Sequence, residues 1–134
     1  MSRKPVQGMH FHHLGIATDS LQRDLRAYRA LGYRSEGASV LEERQGVRGQ
    51  FLVGGGPRLE LLEPLPGSET LAPFLSRGIK CYHHAYEVDS LEESVAVLRA
   101  AGAKQLAPPV DAVAFNRREV FLILPNRWIV ELIG

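Results

Sequence analysis

Two apolar rhythms run along the chain, and both occur twice. FHHLGIATDSL, from Phe11, and YHHAYEVDSL, from Tyr82, each show period-2 alternation leading into an Asp-Ser-Leu turn. After each turn the period lengthens to that of a helix. Leu21, Leu25, Tyr28 and Leu31 follow the i, i+4, i+7 spacing of one apolar helix face, and Leu91, Val95, Leu98 and Ala101 repeat it 70 residues later. Ser90 with Glu93 makes a capping box, and Asp19 with Gln22 is a looser form of the same start signal. Gly32 and Gly102 stop the two helices at equivalent points.

Each helix follows a predicted strand, at 10–17 and 82–88, and is followed by strand-like runs split by turn residues. In the first half these runs fall near 33–41, 47–53 and 58–63, and in the second near 104–107, 118–124 and 127–133. The pattern is βαβββ, written twice. It predicts a single domain over 1–134, with one module at 9–63, a linker at 64–80 and a second module at 81–134. Within the linker, 68–77 is expected to hold a short helix. The Gly54-Gly55-Gly56-Pro57 turn precedes the strand-like Leu59-Glu60-Leu61-Leu62, so it reads as a hairpin turn. A phosphate loop would need a helix N-terminus behind it.

Composition narrows the class. With 134 residues, 45% hydrophobic and 23% charged, the chain can bury a core of its own. A net charge of +1 offers no field for nucleic acid or an anionic membrane. The one cysteine, Cys81, has no disulfide partner within the chain and suits a reducing, cytoplasmic location. MSRKPVQG lacks an apolar stretch behind its basic residues, so no secretion signal is expected. No apolar run approaches the ~20 residues that span a bilayer.

Candidate chemistry sits on the repeat. Alternation in Arg58-Leu59-Glu60-Leu61-Leu62 sets Glu60 opposite Leu59 and Leu61, and Val130 and Leu132 flank Glu131 in the same way. Glu60 and Glu131 are 71 residues apart, as are His13 and His84. If the halves pair about a pseudo-two-fold axis, all four converge from the sheet face that the helices leave open. Two imidazoles and two carboxylates are a donor set for one divalent transition metal per chain, with Co, Ni, Zn, Mn and Fe all admissible. On this count His12 and His83 point to the other face. Cys81, which alternates with His83, is expected away from the cavity with no catalytic task. Tyr86, which alternates with His84, is expected to line it or to pack in the core. Arg117 and Arg118 could hold an anion or simply be solvated.

HHLGIATDSL, LELLEPLPGSETLAPFL, HHAYEVDSLEESVAVLRAAGA and VELI together resemble the methylmalonyl-CoA epimerase-like branch of the vicinal oxygen chelate (glyoxalase/bleomycin resistance) superfamily. The resemblance spans nearly the whole chain. It implies an α+β fold of two paired βαβββ modules in a cupped, barrel-like mixed sheet, with helices on the outer face. It also implies metal ligands at the positions of His13, Glu60, His84 and Glu131, and a homodimer. Where some of these epimerases carry an acid/base Glu, this chain has Gly49. Val113-Ala114-Phe115-Asn116-Arg117-Arg118 and Leu124-Pro125-Asn126-Arg127 also depart from the family's loops.

The expected activity is removal of a proton next to a metal-polarised carbonyl, as in an isomerase acting on a methylmalonyl-CoA-like acyl thioester or another carbonyl compound. Glu60 and Glu131 are the expected acid/base pair. Alternatives are a glyoxalase I-type lyase, for which no glutathione-recognition signature stands out, and a non-catalytic small-molecule binding protein. A dioxygenase fits less well, because its triad uses one carboxylate rather than two.

Overall fold

The computed structural model describes residues 4–112 and 115–134. Val113 and Ala114 of the divergent loop, and the first three residues of MSRKPVQG, lie outside the described residues. The first half contains β1 (His10–Ala17), α1 (Leu21–Ala30), β2 (Arg34–Glu42), β3 (Val47–Val53) and β4 (Leu59–Pro64). The linker holds α2 (Ala72–Leu75). The second half contains β5 (Cys81–Glu87), α3 (Leu91–Ala100), β6 (Lys104–Gln105), β7 (Val110–Ala112), β8 (Arg117–Ile123) and β9 (Ile129–Ile133). Strand pairing is mixed and the class is α+β. No described helix is long and apolar enough to cross a membrane.

Two compact units emerge, one of His13–Tyr82 and one of His83–Gly134 with the N-terminal stretch through His12. In the first, the strand order is β2-β3-β4-β1, with β1 and β4 parallel. In the second it is β5-β9-β8-β6, with β5 and β9 parallel and β7 also paired to β8. The halves therefore repeat the same topology, except that the counterpart of β2 is broken into β6 and β7. Pro108 and Pro109 explain the break, since neither has an N–H to give to a ladder. β7 falls in a stretch where the sequence pattern gave no strand.

Both helices begin on a serine. Ser20 Oγ accepts from the Arg23 N–H and Ser90 Oγ from the Glu93 N–H, each at 3.2 Å. The start of α1 thus rests on Ser20 rather than Asp19, matching Ser90 at the offset of 70. Each helix ends on a glycine with positive φ, 103° at Gly32 and 101° at Gly102. The following residue donates back across the last turn, Tyr33 to the Tyr28 carbonyl and Ala103 to that of Leu98.

The helix-facing side of each unit's strands carries that unit's main core. Leu52, Leu59 and Leu61 pack with Leu21 and Tyr33, and Leu14, Ile16, Leu25 and Tyr28 fill in around them. In the other unit Val120, Leu122, Val130 and Leu132 pack with Val88, Leu91 and Ala103. Truncating Leu61 or Leu132, both essentially inaccessible, costs ~2–5 kcal/mol. A third cluster of Ala17, Val47, Leu62 and Leu71 is closed by Phe74 and Leu75 of the linker and by Tyr82 of β5.

One difference between the halves decides the register of everything built on them. Leu52 pairs with Leu59 across β3–β4, and Leu122 pairs with Val130 across β8–β9. The first residues of these pairs are 70 apart and the second are 71 apart. The second hairpin is therefore one residue longer, and the repeat offset changes only at that turn. In the first half the turn is the glycine run, where a Cβ on Gly55 would come within 2.4 Å of the Tyr33 ring. Tyr33 also donates its hydroxyl to the Pro57 carbonyl at 2.9 Å. It is a hairpin turn packed on an aromatic ring, with no helix behind it.

Candidate functional site

On β1, alternation buries His13, Gly15 and Ala17 on one face and turns Leu14 and Ile16 toward α1. Gly15 lies opposite Glu60 in the parallel β1–β4 ladder. His13, two residues earlier, therefore shares the face of Glu60, and His13 Nε2 lies 3.2 Å from Glu60 Oε1. Phe51, paired with Glu60 across β3–β4, meets the imidazole nearly at right angles at 5.1 Å between ring centres. Gly49 leaves room for the carboxylate: a Cβ there would stand 2.8 Å from Glu60 Oε2.

The second unit builds the same arrangement from β5, β8 and β9. Ala85 lies opposite Glu131, and the residue two before it is His83. His83 Nε2 is 3.2 Å from Glu131 Oε1, and Phe121, paired with Glu131, meets the His83 ring nearly at right angles at 5.4 Å. Each unit thus groups a buried His and a buried Glu with a half-buried Phe.

His84 does not belong to that group. It lies opposite Val130 in the ladder and stacks at a tilt on Trp128, 4.4 Å between ring centres. Burial, with the adjacent His83 as a lesser cause, holds its imidazole below the usual histidine pKa. The expectation of His84 applied the 71-residue offset of the glutamates to the first strand, where the offset is 70. Because the extra residue enters only at the later hairpin, His13 matches His83 and Glu60 matches Glu131. A one-residue slip in a strand exchanges its two faces, so the residues assigned by alternation move as well. Tyr86 packs on the helix-side core instead of lining a cavity. Cys81 shares the face of His83. It is half-buried, and that burial pushes its thiol pKa up, favouring the protonated form.

The two arginines at the start of β8 are engaged. Arg117 lies 2.7 Å from Glu87 and Arg118 lies 2.6 Å from Glu92, both in exposed pairs. The Arg117 guanidinium holds the Glu87 carboxyl below the usual glutamate range.

Glu60 and Glu131 are 6% and 2% exposed, and His13 and His83 are 0% and 2%. Ionised carboxylates are seldom buried this deeply without compensating charge or hydrogen bonds. Imidazole nitrogens and carboxylate oxygens are donors that suit a first-row divalent cation, and each of the four residues offers one such atom. The donor set fits a metal. Glu119 is also buried, at 2% exposure, and sequence pattern alone did not single it out.

A duplicated βαβββ fold with a buried His–Glu pair in each repeat defines a class of small α+β protein whose sites are built from repeated strands. Residues 12–121 match the glyoxalase/bleomycin resistance protein/dioxygenase superfamily, and the chain belongs to that superfamily. It is 29% identical over 128 residues to an ethylmalonyl-CoA/methylmalonyl-CoA epimerase of Cereibacter sphaeroides, covering 90% of this chain and 94% of the relative. Among solved structures it resembles a variant of the Streptomyces coelicolor methylmalonyl-CoA epimerase in complex with 2-nitronate-propionyl-CoA. That likeness has a TM-score of 0.77 at 26% identity and covers 96% of each chain. The methylmalonyl-CoA epimerase of Mycobacterium tuberculosis shares the fold, with a TM-score of 0.79 at 23% identity over 99% of this chain and 91% of that one. The kinship is that of an enzyme of the epimerase/isomerase kind.

Proposed function

We propose that the protein is a metal-dependent epimerase of an acyl-CoA thioester bearing an acidic α-proton, such as methylmalonyl-CoA. The observation that carries this reading is the duplicated buried pair, His13 with Glu60 and His83 with Glu131. The likeness to epimerases, one of them solved with an acyl-CoA analogue, supports the substrate class.

In this reading the four residues would hold one divalent cation, which when bound would polarise the thioester carbonyl and acidify the neighbouring C–H. His13 and His83 present imidazole nitrogens, and the nearly perpendicular rings of Phe51 and Phe121 restrict the turning of each imidazole. Glu60 and Glu131, one from each repeat, take the α-proton from one face of the flattened carbon and return it to the other. Such positioned acid/base groups contribute ~10²–10⁴-fold each. The protein acts as a homodimer, with a solution mass of about twice 14.8 kDa.

The test is α-proton exchange of methylmalonyl-CoA in D2O, with metal per chain measured on the same preparation. About one divalent ion per chain and exchange that a chelator abolishes are expected. Metal-free protein that nonetheless binds acyl-CoA without exchange would instead make this a binding protein.

A further inference from the structure

Glu119 stands where the repeat gives the second unit a carboxylate that the first unit lacks. On β8 it lies two residues before Phe121, so the two share a face. Phe121 is paired with Glu131 and nearly perpendicular to the His83 ring, and Glu119 is paired with Ile133, two residues beyond Glu131. Glu119 therefore projects on the face that carries the His83–Glu131 pair.

The first unit shows what that position touches. Gly49 is the residue 70 before Glu119, and the offset holds across β3 and β8, since Phe51 and Phe121 obey it too. A Cβ on Gly49 would meet Glu60 Oε2 at 2.8 Å. A side chain at this repeat position thus starts against the carboxylate of its own unit's pair. In one unit the position holds glycine and in the other a glutamate 2% exposed. Glutamate is rarely buried to that degree, and its desolvation is costly enough that a core strand position would be better filled by an apolar residue.

We propose that Glu119 is the proton-transfer residue on the second unit's side of the site, with Glu131 left to metal ligation. This rests on the epimerase reading and refines its acid/base assignment. In the forward direction the α-carbon–hydrogen bond breaks and its proton forms an O–H bond with the Glu119 carboxylate. The C–H electron pair moves toward the carbonyl carbon, and the carbonyl π pair moves onto oxygen. A proton from the carboxyl of Glu60 then bonds to the opposite face of the carbon as those pairs return. The products are the other epimer, protonated Glu119 and ionised Glu60, with no change in oxidation state. Proton exchange with solvent resets the two carboxyls.

The experiment follows loss of the α-proton from each methylmalonyl-CoA epimer in D2O, using the wild type, Glu119→Gln, Glu119→Asp and Glu131→Gln, with metal per chain measured throughout. Glu119→Gln is expected to keep its metal and lose epimerisation by ~10²–10⁴-fold. It should still exchange the epimer whose proton faces Glu60. Glu119→Asp recovers part of the loss, and Glu131→Gln loses less than Glu119→Gln. The hand-selective exchange is a signature that a packing role for Glu119 would not produce. Near-native epimerisation by Glu119→Gln, or equal loss of exchange with both epimers, overturns the proposal while leaving the epimerase reading standing. A metal-loaded wild type that exchanges neither epimer overturns both.

Discussion

His83 and His84 are neighbours in sequence, and the structure assigns them opposite fates, so truncating each in turn is a sharp test. His83→Ala removes an imidazole 2% exposed that faces Glu131 at 3.2 Å. The carboxylate, itself 2% exposed, then stays buried without that partner. Breaking a buried pair from one side costs ~3–5 kcal/mol. His84→Ala removes a half-buried ring stacked on Trp128 at 4.4 Å, worth ~0.5–1.5 kcal/mol. For a chain of this size a kcal/mol shifts Tm by roughly 3–5 °C, giving a drop of roughly 9–25 °C for His83→Ala and under about 8 °C for His84→Ala. Calorimetry on chelator-treated protein reads these shifts free of any metal contribution. On protein dialysed against Zn²⁺ or Co²⁺, His83→Ala should lose its ion, since even changes around a ligand cost 10–100-fold in affinity. His84→Ala should keep its ion. If His83→Ala folds too poorly to load, His83→Gln, which retains a polar group, carries the same comparison. Retention of a full metal equivalent by either His83 variant, with loss from His84→Ala, would refute the register argument and restore His84 as the ligand.

Glu60→Gln should keep measurable metal, because the amide oxygen still ligates, while epimerisation falls by ~10²–10⁴-fold, as read by metal analysis beside steady-state turnover. Cys81→Ala should leave turnover within about twofold, a change of ~0.4 kcal/mol or less, although Cys81 shares a face with His83. Its raised thiol pKa predicts alkylation by iodoacetamide at pH 8 slower than that of a free cysteine, which mass spectrometry over time would record. The Glu87–Arg117 pair contributes its stability above the unfolded glutamate pKa and loses it as pH falls through the lower folded value. Arg117→Ala should therefore cost under about 1 kcal/mol at pH 7 in urea melts, and nothing once the pH is below both values.

The topology could be read from the sequence because its signals are local. Period-2 and period-3.6 runs, a serine start and a glycine stop each act within a few residues, and duplication wrote them twice. Glu60 and Glu131 were legible for the same reason, each alternating with leucine or valine in its own strand. β7 was not, because three residues after two prolines carry too little pattern to stand out, and pairing to β8 supplies what propensity lacks. The choice between His83 and His84 depends on something that no single strand contains. Which face a strand residue shares with a residue of another strand is fixed by their ladder, and the ladder depends on every turn between them. In a duplicated chain an offset counts as evidence only within the stretch over which it is constant. Here Ser20/Ser90, Gly32/Gly102 and Phe51/Phe121 hold it at 70, and the longer second hairpin raises it to 71 for the strand that follows, glutamates included. Counting turn by turn would have selected His83. Applied at Gly49, the same count reaches Glu119, whose burial is a property of the folded sheet and leaves no mark in RREVFLI.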